Sequence, residues 1–231
     1  MKKAIITQSN YIPWKGYFDS IAAVDVFVVY DDMQYTKRDW RNRNLIKTPQ
    51  GLKWLSIPVE VKGKYFQKIN ETKVSEKGWQ QSHLGMLKQN YAKAKYFQDV
   101  FPWIEELYQT CNFEYLTEIN LHFIQGINKF LGITTPIRLS SEFQLHEEKT
   151  QRLVNICKEL GSKAYYSGPA AKAYMEEDKF NKEGIKVQYW DYSGYPIYNQ
   201  LNLPFEHGVS IFDLLLCEGT DAKKYMKFRP E

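Results

Sequence analysis

The chain has 231 residues, with 31 Lys and Arg against 27 Asp and Glu, and a formal net charge of +4. A chain of this length buries a sizeable core without a metal or disulfide staple. A pI near 8.7 argues against a duplex-coating protein, whose basic face usually lifts the domain pI above about 9.

Aromatic residues stand out: 17 Tyr, 13 Phe and 6 Trp, with Tyr outnumbering the 13 Gly, although Gly is among the commonest residues of ordinary domains and Tyr is not. Amphipathic rings suit sites that stack and hydrogen-bond flat or hydroxylated ligands. Cys111, Cys157 and Cys217 stand singly, without zinc spacing and odd in number, so a reducing cytoplasm is the simplest setting. The basic N-terminus turns polar after three apolar residues, too soon for a signal peptide. No apolar run approaches the roughly 18 residues that span a bilayer.

In chain order, Ala4–Thr7 reads as a buried strand, Tyr17–Ala23 as a helix, and Val26–Tyr30 as the continuous apolar strand that parallel sheets bury. Residues 44–60 carry a Pro/Gly turn between alternating runs, a hairpin signal. The pattern then turns helical over roughly 78–93, 98–109 and 113–131, the last with Phe113, Leu116, Asn120, Phe123, Ile127 and Phe130 at helical spacing and Gly132 as a stop. Alternation returns with a strand near 136–140, a helix near 148–160, a strand near 163–166, a helix opened by Gly168-Pro169, and a strand near 185–192. Ser210 caps a helix over Ser210–Cys217. The expectation is one α/β domain over residues 1–231, with a mainly parallel, Rossmann-like sheet, a small hairpin and an inserted helical region at about 78–131.

The chemistry concentrates in two loops. Gln8-Ser9-Asn10-Tyr11-Ile12-Pro13-Trp14-Lys15-Gly16-Tyr17-Phe18 follows the first strand, at the carboxyl sheet edge where open α/β folds bind ligands. Gly16 permits a close backbone approach, and the helix start after it can hold an anion. The second strand ends in Asp31-Asp32-Met33-Gln34-Tyr35, followed by Lys37, Arg38, Asp39, Trp40, Arg41, Asn42 and Arg43, a net +3 within seven residues. Guanidiniums suit bidentate phosphate or carboxylate recognition, and Trp40 or Tyr35 can stack a base or sugar.

These blocks resemble the signatures of the WbqC-like family: residues 8–18, Asp32-Met33-Gln34-Tyr35 and Trp40-Arg41-Asn42-Arg43-Asn44. Later blocks match in type and order: His83 with Tyr91, residues 165–174, Tyr195-Pro196-Ile197-Tyr198-Asn199-Gln200, and 210–216. Ser9 stands where the family often has Pro, which loosens that turn. The resemblance implies a place beside sugar-nucleotide enzymes in bacterial surface-polysaccharide clusters, with acylation of an amino sugar as the natural reaction; it names no cofactor. Pro13-Trp14-Lys15-Gly16-Tyr17 is also similar in placement to the His-x-Gly-His loop of nucleotidylyltransferases. With neither imidazole present, nucleotidyl chemistry is the lesser reading.

His83, between Trp79 and Leu87 on a helix, and Asp32 are the candidate acid/base groups, with Tyr17 beside them. His122, His146 and His207 carry less support. Cys157 falls on an apolar stripe and reads as a core thiol. Gln8, Asn10, Tyr11, Trp14, Gly16, Gln34, Lys37, Arg38, Trp40, Arg41, Asn42 and Arg43 are the expected binding residues of the two loops. Ser167 and Gly168, at another helix start, and Tyr198 and Gln200, with Tyr192 and Tyr195 near a strand end, are expected to complete a sugar pocket. No metal site is expected. The expected partners are a nucleotide-linked sugar and an acyl or aminoacyl donor. The rival readings are a non-catalytic binding protein or a module that binds a charged tRNA.

Overall fold

The computed structural model describes residues 1–146 and 148–228. Five strands, β1 (Lys3–Thr7), β2 (Val26–Val29), β5 (Ile137–Leu139), β6 (Ala164–Ser167) and β7 (Lys186–Tyr189), form a parallel sheet in the order β5-β2-β1-β6-β7. Its central strands read as unbroken apolar runs because both faces are covered; Val26–Val29 is buried throughout. β3 (Arg43–Thr48) and β4 (Gly51–Ser56) make the expected antiparallel hairpin.

Helices α1 (Lys15–Ala22), α2 (Trp79–Tyr91), α3 (Phe97–Thr110), α4 (Leu116–Leu131) and α7 (Ile211–Glu218) share one continuous core with the hairpin and one sheet face. The other face packs α5 (Lys149–Glu159) and α6 (Glu177–Asn181) through Val154, Ile156, Cys157 and Phe180. The helices of 78–131 therefore do not have a core of their own. Ser210 caps α7, its Oγ accepting from the Phe212 N–H.

One expected helix is different. Gly168-Pro169 opens only a 3₁₀ turn, Pro169–Ala173, with Ala171 its one buried residue. No apolar stripe follows the proline to hold a longer helix against the sheet, so no helix dipole is aimed from Gly168.

The strand order fixes where a ligand can enter. From β1 the sheet grows outward through β2 to β5; from its other neighbour, β6, it grows through β7. Beyond the carboxyl ends of β1 and β6 the connections leave in opposite directions and open a crevice.

Candidate functional site

The loop after β1 crosses this crevice in a conformation that the sequence disfavours. Ile12, fully buried, has φ of +35°, a region in which β-branched residues are strained. Three elements hold it. Asn44, on β3, donates through Nδ2 to the Tyr11 and Ile12 carbonyls at 3.0 and 3.1 Å. The Tyr11 N–H donates to the Trp40 carbonyl at 3.0 Å, and the Ile211 N–H, in the first turn of α7, donates to Pro13 O at 3.0 Å.

Beneath the loop, the buried Asp31 accepts from the Ser9 N–H at 2.8 Å, Ser9 Oγ at 2.6 Å and Thr117 Oγ1 at 2.7 Å. Burial raises its pKa, against the pull of these donors. Asn120 Nδ2 ties the knot to Ser9 Oγ and the Arg41 carbonyl. The loosening expected from Ser9 is not seen: its N–H and hydroxyl anchor the turn, and a proline would supply neither.

A cavity of about 690 Å³ opens over the crevice, lined by Asn10, Trp14, Trp40, Tyr192, Tyr195 and His207 among others. Such a volume suits a drug-sized or sugar-nucleotide-sized ligand. The Trp14 indole meets Tyr192 and Tyr195 at 5.3 and 5.2 Å between ring centroids. It lies directly over Gly16, where an added Cβ would be 2.3 Å from the ring. The close approach expected at Gly16 is thus made by the protein's own indole, which the glycine lets sit flat as a wall.

Behind that wall sits Lys15, only 3% exposed. Its ammonium donates to the Pro196 carbonyl at 2.7 Å and faces the Tyr195 and Tyr198 rings at 5.3 and 5.1 Å. Burial brings its pKa down to about 8, with Asp19 opposing. Asp19, one turn along α1, accepts from the Lys227 and Phe228 N–H groups, both at 3.0 Å, and pins the chain's last described segment beside the cavity.

His207 is held below its ordinary pKa by burial first and the Lys15 charge second, which leaves the ring neutral at pH 7. Its Nδ1 is buried without a partner among the described residues. An orphaned N–H costs more than an orphaned lone pair, so the proton belongs on Nε2.

The structure separates the other expected residues. Arg41 reaches the loop, donating through a terminal guanidinium nitrogen to the Ser9 carbonyl and Asn10 Oδ1. Arg43 lies on the Trp54 ring at 3.9 Å, and Trp54 meets Trp40 at 5.3 Å. Lys37 and Arg38 point to solvent. Gln34 Nε2 donates to the Tyr65 carbonyl, away from the cavity. Asn42 accepts from the Tyr35 hydroxyl and donates to the Ile57 carbonyl. Tyr17 is buried, and its hydroxyl is committed to the Gln8 carbonyl at 3.0 Å. Ser167 and Gly168 end β6 at the crevice, but neither is among the residues lining the cavity.

Asp32 lies at the end of β2, where Ser140 Oγ and Asn70 Nδ2 donate to it and Lys68 stands 3.9 Å away. It is not part of the cavity wall. His83 is more distant in role. It is 2% exposed, with Nε2 3.2 Å from the Ser56 carbonyl and Nδ1 2.8 Å from the Tyr11 hydroxyl, and burial brings its pKa down to about 4. Tyr198 and Gln200 turn inward: with Tyr91 they donate to the buried Asp213 at 2.6, 2.8 and 2.7 Å. Only the Tyr198 ring face remains toward Lys15.

A profile of the WbqC-like protein family matches residues 8–225. The chain belongs to the WbqC-like family. An uncharacterized protein of Mycobacterium tuberculosis is 46% identical over 228 residues, covering 99% of each chain. No solved structure matches significantly.

Lys15, Asn44 and His207 are the residues that pattern reading undervalued. Lys15 carried a signal, a cation set between Trp14 and Gly16 at a buried helix start, and Asp213, a lone carboxylate in Ile-Phe-Asp-Leu-Leu-Leu, marked a polar hub. Nothing near Asn44 or His207 in sequence announced their neighbours. Among the described residues, no three His, Cys, Asp or Glu side chains are grouped to hold a metal ion, and no helix is long and apolar enough to cross a membrane.

Proposed function

We propose that the protein is a transferase that takes a nucleotide-linked amino sugar and acylates or aminoacylates its amine, in bacterial surface-polysaccharide biosynthesis. The observation that carries this reading is the cavity at the strand-order reversal, walled by Trp14, Trp40, Tyr192 and Tyr195. Ring faces bind the flat faces of a base or sugar, and phenol and indole edges hydrogen-bond its hydroxyls.

His207 and Asn10 are the groups in this wall that direct the ligand. Nε2–H of the neutral His207 donates to the oxygen on which charge develops as the neutral sugar amine adds to the carbonyl of an activated acyl donor; the adduct then breaks its bond to the donor's leaving group, which departs with the proton lost by the amine. Asn10, its Oδ1 engaged by Arg41, offers its Nδ2 donors. The buried Lys15 ammonium adds positive potential behind the Tyr195 ring without contacting the ligand. In this reading Asp31, Asp213, Tyr17 and His83 hold the walls in place, and Asp32 stands outside the reacting centre.

Isothermal titration with a panel of nucleotide-linked amino sugars tests the proposal. One member should bind in the micromolar range, and Trp40→Ala should weaken it roughly tenfold, the scale of one lost stacking contact. His207→Ala should spare binding and remove acyl transfer. No binding by any member, with or without ATP, overturns the reading.

A further inference from the structure

A second feature reaches the cavity from outside. Residues 34–43 and 60–68 hold seven Lys and Arg against two Asp and Glu, a net +5, so the rest of the chain sums to −1 of the total +4. The two segments are stitched into one surface: the Tyr35 N–H donates to the Gln67 carbonyl at 2.9 Å and Gln34 Nε2 to the Tyr65 carbonyl at 2.8 Å. Lys37, Arg38 and Lys62 are exposed and make no ion pair among the described residues.

The same surface displays rings. Tyr65 and Phe66 are 73% and 82% exposed and meet edge to face at 5.0 Å. Trp54 and Trp40 are 38% and 40% exposed; the Arg43 guanidinium covers Trp54, and Trp40 touches both Trp54 and the cavity. Exposed rings of this size are expensive to leave in water. At the Asp213 hub, by contrast, Tyr91 and Tyr198 are buried with their hydroxyls paired.

We infer that this basic, ring-bearing face binds a single-stranded nucleic acid whose end is led past Trp40 toward the cavity. Sugar-phosphate backbones seek the lysine and arginine charges, while bases stack on rings in any sequence. A duplex would bury its base faces from these rings, in line with the modest charge of the whole chain. A membrane surface shares the charge, and Leu52, two residues from Trp54 on β4, is 46% exposed, so anionic vesicles are the rival that the test must separate. The inference does not depend on the amino-sugar reading.

Fluorescence anisotropy of the full chain with a labelled single-stranded 12-mer, as RNA and as DNA, tests it. The matched duplex and vesicles of phosphatidylglycerol and phosphatidylcholine serve as rival probes. Single strands should bind more tightly than duplex, with a log–log salt slope of about −2, corresponding to roughly three phosphates. Phe66→Ala and Trp54→Ala should each weaken binding at least about fivefold; Lys37→Glu with Arg38→Glu should flatten the slope. Phe66→Ala should leave sugar-nucleotide titration unchanged, which separates this proposal from the previous one. Undetectable strand binding, equal affinity in the ring variants, or binding to vesicles alone overturns the inference.

Discussion

His83 gives a prediction whose size follows from its surroundings. The Ser56 carbonyl can only accept, so Nε2 carries the proton. Nδ1 then accepts from the Tyr11 hydroxyl, which in turn accepts from Tyr108 at 2.6 Å. Each proton in this chain has one acceptor. A second proton on the ring would point Nδ1–H at Tyr11 and bury a charge among Trp79, Tyr108 and Tyr11. Burial accordingly lowers the pKa from 6.5 to about 4. The unfolded chain takes up a proton near pH 6.5 that the folded chain refuses. Stability from this residue is therefore complete above the unfolded value and is lost as pH falls toward the folded one. At 1.36 kcal/mol per pH unit, the loss approaches about 3 kcal/mol. Urea unfolding of the wild type and His83→Gln, from about pH 4.5 to about pH 7.5, isolates it, because other groups contribute equally to both proteins. The wild type should lose roughly 2–3 kcal/mol more than the variant on acidification. Parallel curves would refute the argument and return His83 to solvent contact.

Gly16→Ala should drive the Trp14 indole off its seat, since the new Cβ would be 2.3 Å from it. Thermal unfolding should show a loss of about 1–3 kcal/mol, and quenching of Trp fluorescence by acrylamide should rise. Asn44→Ala removes the donors to the Tyr11 and Ile12 carbonyls and should cost about 2–4 kcal/mol in urea titrations; Asn44→Asp, which keeps size but not donors, should not restore it. Burial pushes Cys111, Cys157 and Cys217 up to about 12, so the native protein should resist a disulfide reagent at pH 8 and release all three thiols only on unfolding.

The fold was legible where local pattern and burial agree. Val26–Val29 is apolar at every position because both sheet faces are covered, and the hairpin announced itself through Pro49 and Gly51 flanking its turn. The helix after Gly168 was misjudged because Pro169 marks a start without saying how far the chain continues. An apolar stripe decides that, and residues 170–176 hold little of one.

The site divides along the same physical line. Sequence alone singled out the loop after β1 and the run after β2, because short blocks of Trp, Asn, Lys and Arg stand out locally. It could not say which way each side chain turns. Tyr198 and Gln200 face Asp213 from fifteen and thirteen residues away, Asn44 grips a strained Ile12 across thirty-two, and His207 joins Trp14 in a wall that neither neighbourhood predicts. Those are contacts between elements, set by the strand order β5-β2-β1-β6-β7. Composition fixes what the residues can do; only the packed sheet and its crossing loops decide which of them meet.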